Sequence, residues 1–172
     1  PRQVLTDRIA ADAELALDSP TRAKNRLERH LPIARKDPQR YATLLACYYH
    51  ALIRSKEDEK ARDGLSQLLE DSEAFAAVLI SRLGGDTVLD ADRSAAWLRE
   101  IAGPVKQGGA VSALARTWLR LYNRTKDPQY RIEAIKVLDR MPEDVSPAVL
   151  EEVGMVEEGV RRSERARDAY ER

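Results

Sequence analysis

The chain has 172 residues, of which 43% are apolar and 34% are charged, a balance typical of a soluble folded unit. Lysine plus arginine equals aspartate plus glutamate at 29 each, so no net charge draws the chain to nucleic acid or to an anionic membrane. Aromatic residues make up only 5%, and the abundant Ala, Leu, Arg and Glu favour helices over strands.

The sequence has no long apolar run and only one cysteine, and these two features exclude some classes of protein. The longest apolar run, residues 74–80, is far shorter than the roughly 20 residues that a membrane-spanning helix needs, so we expect no membrane insertion. The single cysteine, Cys47, excludes an internal disulfide and a cysteine-rich metal site. The sequence does not distinguish a cytoplasmic from a periplasmic location.

Proline, glycine and capping residues recur about every 10 to 20 residues, a spacing that indicates about ten short helices. The first covers about residues 4–17, the second begins at Ser19-Pro20, the third begins at Asp37-Pro38, and the fourth covers about 57–69. Their apolar positions repeat at helical spacing. These positions are Leu5, Ile9, Ala13 and Ala16; Ala23, Leu27 and Leu31; Tyr41, Leu44, Leu45, Tyr48, Leu52 and Ile53; and Ala61, Leu65, Leu68 and Leu69.

The second half of the chain predicts six more helices. Ser72 caps the fifth, which a left-handed turn at Gly84-Gly85 ends. The others cover about 90–102 and 110–124, begin at Asp127-Pro128 and after Ser146-Pro147, and cover 163–172. The inward residues of the seventh and eighth helices are Leu114, Trp118, Leu121 and Tyr122, and Ile132, Ile135, Val137 and Leu138.

Taken in pairs, these helices form hairpins near 4–35, 38–70, 73–103, 110–141 and 147–172. A period of about 35 residues with two helices per unit is typical of a helical solenoid, in which each unit buries its apolar face on the next. The fold class predicted is therefore all-α: a right-handed α-solenoid of about five antiparallel helix pairs, forming one domain over residues 1–172.

The last unit, from Leu150 to Arg172, resembles a tetratricopeptide repeat. Its small residues Gly154 and Ala166 stand where the paired helices approach, and Tyr170 follows one turn later. Upstream units keep parts of the pattern, in Ala23 with Leu27, Ala61 with Leu65, Trp118 to Tyr122, and Ala134 with Leu138. From this resemblance and the apolar stripes we expect Trp118 and Tyr170 to lie in the core.

The two ends of the chain predict a piece of a longer array. No methionine or leader precedes Pro1, and the final unit stops right after Tyr170 without a polar capping helix. An uncapped unit exposes an apolar face, which we expect around Val153, Val156 and Tyr170. We therefore predict self-association through this C-terminal repeat.

Enzymatic motifs are absent from the sequence: it contains no phosphate-binding glycine loop, no dinucleotide fingerprint and no zinc-protease helix. Cys47 and His50 lie three residues apart, but their apolar neighbours favour a buried structural thiol over a nucleophilic pair. His30 is interpreted as a helix-end residue rather than a ligand. We predict no catalytic residue, no cofactor and no metal site, so the chain is not expected to be an enzyme.

One constellation stands out on the seventh helix, where Arg116, Arg120 and Arg124 follow each other at steps of four with Asn123 alongside. The tetratricopeptide resemblance places this stripe on the inner face, where that family holds acidic peptides with Lys, Arg and Asn. His50, Arg54 and Arg82 extend the face. The alternative is an ordinary solvated arginine face.

The function expected is therefore a protein–protein interaction scaffold that binds an acidic or extended segment of a partner in its concave groove. The Ala/Arg/Leu-rich style is similar to long bacterial arrays, including scaffolds of exopolysaccharide export and complex assembly. A regulatory or sensor arm of a larger enzyme or signalling protein is the alternative. RNA binding is the weaker one, because net charge is zero and no aromatic side chains interleave with the arginines.

Overall fold

A computed structural model describes residues 2–142 and 147–159 of the chain. Within these ranges the structure consists of helices joined by turns and loops and contains no strand, as the sequence predicts. The helices are α1 (Arg2–Ala16), α2 (Pro20–Glu28), α3 (Leu31–Ala34), α4 (Ala42–Arg54), α5 (Asp58–Arg62), α6 (Leu65–Asp71), α7 (Glu73–Gly85), α8 (Ala91–Ala102), α9 (Gly108–Thr125), α10 (Pro128–Leu138) and α11 (Pro147–Gly159). No helix in this part of the chain is long and apolar enough to cross a bilayer.

Side-chain caps fix three of the predicted helix starts. The Ser72 hydroxyl accepts a hydrogen bond from the backbone N–H of Phe75 at 3.1 Å, at the start of α7. The carboxylates of Asp90 and Asp127 accept backbone N–H groups at 2.7 and 2.9 Å, at the starts of α8 and α10. Each cap satisfies a donor that the first turn of a helix leaves unpaired.

Each main helix packs against its neighbours in chain order. α1 lies on α2, α2 on α4, α4 on α7, and α7 on α9, while α9 contacts both α10 and α11. The buried side chains form one continuous cluster through these helices. Trp118 on α9 is 1% exposed, with its ring stacked 5.8 Å from that of Tyr130, so its predicted place in the core is confirmed. Tyr170 and the predicted tenth helix lie outside the described residues.

Polar contacts between helices recur at a regular sequence separation. The Lys24 ammonium lies 2.6 Å from Glu57, 33 positions away. Asp58 accepts from Arg93 at 2.5 Å across 35 positions. The side chain of Asp92 then accepts from the Tyr130 hydroxyl at 3.0 Å across 38 positions. These bonds join α2 to the residue before α5, α5 to α8, and α8 to α10.

Two predicted helices are broken where their backbone cannot continue. The second helix ends at Glu28, and α3 follows as one further turn, because Pro32 has no N–H to donate to the carbonyl of Glu28. The fourth is divided into α5 and α6 at Gly64, whose φ of +69° is left-handed. The Tyr49 hydroxyl donates to the carbonyl of Asp63 at 3.0 Å at this break, so that backbone acceptor stays paired.

The predicted left-handed turn at Gly84-Gly85 is wrong. α7 runs through to Gly85, and neither glycine has a positive φ. A Cβ atom at Gly84 would lie 2.4 Å from Cγ2 of Thr117 on α9. Glycine is therefore needed at this position for the close approach of two helices.

The predicted apolar face of α1 points to solvent, and in the predicted face of α10 one residue is exposed while Val137 and Leu138 are buried. On α1, Leu5 and Ile9 are each 55% exposed, and Ala13 and Ala16 are exposed as well, whereas Asp7, Ala11 and Leu15 face the interior. On α10, Ile132 is 46% exposed. In α1 the stripe and the buried face are both regular at helical spacing, so periodicity alone could not choose between them.

The apolar face that was predicted to be exposed near the C-terminus also differs from the structure. Val153 and Val156 are buried at 8% and 2% exposure, so they do not form an exposed patch, although Met155 between them is 51% exposed. A Cβ atom at Gly159 would lie 2.4 Å from Leu119 of α9, which shows how closely α11 packs there. Self-association through this end stays a prediction, since the residues after 159 lie outside the described ranges.

The contact of α7 with α9 can be tested by one pair of glycine substitutions. We expect Gly84→Ala to lower the free energy of unfolding by about 1 to 3 kcal/mol, because the new methyl group overpacks against Thr117. Gly85→Ala is the matched control: nothing lies within 4 Å of its added Cβ, so its stability should equal or exceed that of the wild type. Urea unfolding measures both, and equal stability of the two variants would contradict the close contact.

Candidate partner-binding face

The residues predicted to bind a partner lie on three helices that pack side by side. α4 contacts α7, and α7 contacts α9, so the structure brings most of the predicted residues to one region. His50 and Arg54 are on α4, Arg82 is on α7, and Arg116, Arg120, Asn123 and Arg124 are on α9. We call these residues the polar face.

A buried carboxylate that the sequence analysis missed links the three helices. Asp86, the residue after α7, is 7% exposed. Its Oδ2 lies 2.6 Å from Nε2 of His50 and 3.6 Å from Nε of Arg54, both on α4. Its backbone carbonyl accepts a hydrogen bond from Arg124 of α9 at 2.9 Å. Three of the predicted partner-binding residues therefore contact one residue, two at its carboxylate and one at its backbone carbonyl.

The protonation of Asp86 follows from its hydrogen bonds. Burial by itself raises the pKa of this carboxyl, because it removes water from the charged form. The side-chain hydrogen bond from His50 and the backbone N–H groups of Leu89 and Val88 oppose that effect and hold the pKa of Asp86 well below its ordinary value. The carboxylate is thus ionised at neutral pH although it is buried.

The contact with Asp86 orients the ring of His50 through Nε2 and leaves its other ring nitrogen, Nδ1, without a hydrogen bond. Its side chain is 8% exposed, and Nδ1 is buried without a hydrogen-bond partner in the structure. A histidine held in this way contributes to the floor of the face, and its ring is not presented to solvent. Its predicted role as a direct partner contact stays untested.

Arg54 and Arg82 are also engaged within the chain. Arg54 donates to the backbone carbonyl of Leu15 at 2.9 Å and forms an ion pair with Asp18, both at the end of α1. Arg82 donates to Asp12 of α1 at 2.7 Å. Both guanidinium groups therefore anchor α4 and α7 to α1, so their charge is largely compensated inside the molecule.

Cys47 and His50 do not form a nucleophilic pair. The Cys47 thiol is fully buried and donates to Asp12 at 3.3 Å, while the ring of His50 points to Asp86. Burial raises the pKa of the Cys47 thiol to about 12, so the reactive thiolate is scarce at neutral pH. The expectation of a buried thiol is confirmed.

His30 takes part in a separate cluster at the other side of α1. Its Nε2 lies 2.8 Å from Asp7, which also accepts from Arg29 at 2.5 Å. The hydrogen bonds from His30 and then from Arg29 hold the pKa of Asp7 below its ordinary value. This cluster joins α1 to the end of α2, in accord with a helix-end position for His30.

The stripe on α9 differs from the rest of the polar face in its exposure. Arg116 is partly buried, and Arg124 donates one N–H to the backbone carbonyl of Asp86. Arg120 and Asn123 are exposed, and neither makes a hydrogen bond or ion pair with the described part of the chain. The open cationic position on this face is therefore Arg120.

Among residues 2–142 and 147–159, no group of three or more His, Cys, Asp or Glu side chains is placed to hold a metal ion. The His50–Asp86 and His30–Asp7 contacts each join one imidazole to one carboxylate. They act as structural contacts between helices.

No protein-family model matches the sequence, and no curated protein or solved structure is significantly similar to it. The resemblance to tetratricopeptide repeats therefore stays a prediction.

The depressed pKa of Asp86 makes a prediction about acid stability. Because the folded state holds this carboxylate ionised, its stabilising effect is present above the unfolded pKa of about 4 and is lost as pH falls below that value. We expect Asp86→Asn to be less stable at neutral pH and to lose less further stability on acidification than the wild type. Thermal melting between about pH 7 and pH 3 measures this difference.

The matched control is Asp71→Asn, since Asp71 is exposed at the end of α6. This variant should follow the wild-type profile. Parallel pH profiles for wild type and Asp86→Asn would show that Asp86 does not couple protonation to folding.

Burial of Cys47 predicts an unreactive thiol. With its pKa raised to about 12, Cys47 should not be alkylated by iodoacetamide in the native protein at about pH 8, where an exposed thiol reacts readily. In urea the same thiol should react at the rate of a free cysteine. Mass spectrometry measures both rates, and fast native labelling would contradict the buried position.

Proposed function

We propose that this chain is a protein–protein interaction module of stacked antiparallel helix pairs, similar to a tetratricopeptide array. The regular polar contacts support the stacking: bonds across 33, 35 and 38 positions join successive units, as expected when each unit lies on the next. The chain-order packing of α1, α4, α7 and α9 supports it as well. In this arrangement α4, α7 and α9 are the first helices of their units.

The ligand that we propose for the polar face is an acidic, extended segment of a partner protein. The single observation that carries this proposal is the exposed position of Arg120, which has no acid beside it in the described structure. The other cations of the face are held elsewhere, because Arg54 and Arg82 pair with acids at α1. Among the described residues of the polar face, the open cationic position is therefore Arg120 on α9.

Arginine suits this ligand for a geometric reason. The planar guanidinium group can donate two parallel hydrogen bonds to one carboxylate, which gives both affinity and orientation. Asn123, exposed one turn along from Arg120, can bond the backbone of an extended segment. Arg124 is positioned by Asp86 at the edge of the same stripe, so its direction is set before a partner arrives.

The proposal is tested by charge reversal on the exposed stripe. Arg120→Glu should weaken binding of acidic peptides by about 2 kcal/mol, which is roughly 30-fold, because attraction becomes repulsion. Its helicity and melting temperature should match the wild type, since Arg120 is exposed. The probe is a set of extended peptides of equal length, with Asp and Glu replaced stepwise by Asn and Gln, measured by fluorescence anisotropy.

Arg22→Glu on α2 is the matched control, because it makes the same charge change at another exposed arginine. It should bind the acidic peptides like the wild type. Equal loss in both variants would indicate a general charge effect, and no loss in either would overturn the role of Arg120. Tighter binding of single-stranded RNA than of any peptide would favour nucleic acid as the ligand instead.

A further inference from the structure

Two arginines of this chain lie over tryptophan rings, and they differ in what their N–H groups meet. The guanidinium carbon of Arg62 lies 5.1 Å from the ring centroid of Trp97. The guanidinium carbon of Arg99 lies 5.7 Å from the ring centroid of Trp118. Arg99 follows Arg62 by 37 positions, so the arrangement recurs at about the period of the helix pairs.

A carboxylate of the chain itself occupies the N–H groups of Arg62. Its Nε and Nη2 atoms donate to the two carboxylate oxygens of Glu100, both at 2.8 Å. These hydrogen bonds hold the pKa of Glu100 below its ordinary value. A guanidinium group that rests on an aromatic ring keeps a fixed plane, and it presents two parallel N–H groups that match one carboxylate.

Arg99 presents the same N–H groups, but no acid meets them. Within residues 2–142 and 147–159 its side chain makes no hydrogen bond or ion pair, and the residue is exposed. Glu100 lies 38 positions after Arg62, and the residue at the same separation from Arg99 is Val137. The chain therefore does not supply to Arg99 the carboxylate that it supplies to Arg62.

A recess of about 600 Å³ lies beside Arg99, between the end of α8, α9 and α10. Ala102, Trp118 and Val137 contribute to its wall. Arg140, two residues after α10, also lines the recess; it is exposed and forms no ion pair with the described part of the chain. The volume is within the range of small-molecule binding sites.

The wall also contains two acids, and each of them is engaged. Glu133 accepts hydrogen bonds from Lys136 at 3.1 Å and from Gln129 at 2.9 Å. Asp139 has a partner of its own. Neither acid forms an ion pair with the two arginines of the wall, so the recess retains a local attraction for anions.

We propose that this recess binds a small organic dicarboxylate. One carboxylate accepts two parallel N–H groups from Arg99, in the way that Glu100 accepts them from Arg62. The second carboxylate lies beside Arg140, and the carbon chain between the two contacts the apolar part of the wall. A ligand with a single carboxylate would leave Arg140 without a counter-charge.

The binding is expected to be weak and independent of the polar face. Both arginines are exposed, so water and salt screen their charge, and the dissociation constant should be on the order of 1 mM. The recess involves α8 and α10, whereas the polar face lies on α4, α7 and α9. Failure of dicarboxylate binding would therefore leave the proposed peptide binding untouched.

Titration of the full chain with dicarboxylates from malonate to adipate tests the site, because the spacing of the two arginines selects a chain length. At constant ionic strength, the best dicarboxylate should shift the Arg99 Nε–H and Trp118 indole N–H signals saturably in nitrogen-edited proton NMR spectra. The monocarboxylate with the same number of carbons should bind about tenfold more weakly or worse, because it cannot pair with both arginines.

Two substitutions at equivalent arginines separate the site from a general charge effect. Arg99→Lys keeps the charge and loses the planar group, so the best dicarboxylate should bind about tenfold more weakly or worse. Arg62→Lys is the matched control, since Arg62 also lies over a tryptophan but is already occupied by Glu100. It should bind like the wild type.

Arg140→Gln tests the second carboxylate. This variant should bind the dicarboxylate no more tightly than the matched monocarboxylate, because only Arg99 then remains to accept a ligand. Circular dichroism melting checks that each variant is folded, and Arg140→Gln decides the proposal if Arg99→Lys is not. Arg120→Glu should bind the dicarboxylate like the wild type, and a loss in that variant would place the binding on the polar face instead.

Each further result decides the proposal. Saturable binding that Arg99→Lys weakens and Arg62→Lys preserves would support it. The absence of a saturable shift with every dicarboxylate up to about 20 mM would overturn it, as would an equal loss in both lysine variants. Tighter binding of inorganic phosphate than of every dicarboxylate would overturn the assignment of the ligand.

Discussion

Asp86 lies where α4, α7 and α9 meet, and its two polar groups hold all three helices. Its carboxylate binds His50 and lies near Arg54 of α4, while its backbone carbonyl accepts from Arg124 of α9. A buried carboxylate is costly unless such partners compensate it, so the helices can pack here only with these groups in place. This one residue therefore positions His50, Arg54 and Arg124 of the polar face.

This use of charge explains how the proposed binding surface arises in a chain with no net charge. Asp18 after α1 and Asp12 within it pair with Arg54 and Arg82, and Asp86 after α7 binds His50 within the molecule. On α9, Arg120 is exposed and makes no ion pair with the described residues, so it is left open to solvent. A chain with no net charge thus presents a local exposed cation through the placement of its ion pairs.

The predicted sequence features that hold in the structure are local ones. Ser72, Asp90 and Asp127 start helices where their side chains can accept backbone N–H groups, and Trp118 is buried as its stripe predicts. Other local signals were misleading because more than one physical role fits them. Gly84 permits close helix packing instead of a left-handed turn, and Gly64, inside a predicted helix, supplies the left-handed residue.

The sequence by itself determined the helical class, the approximate helix limits and the arginine stripe, because caps, breakers and side-chain spacing act within one or two turns. Only the tertiary structure determines which face of a helix is buried and which charged side chains are already paired within the chain. On α1, Asp7 faces inward beside His30 while Leu5 and Ile9 face solvent. The contacts of Asp12, Asp18 and Asp86 with other helices could not be found from spacing, since those partners lie 35 to 70 positions away. Contacts over such distances exist only once the helices have packed.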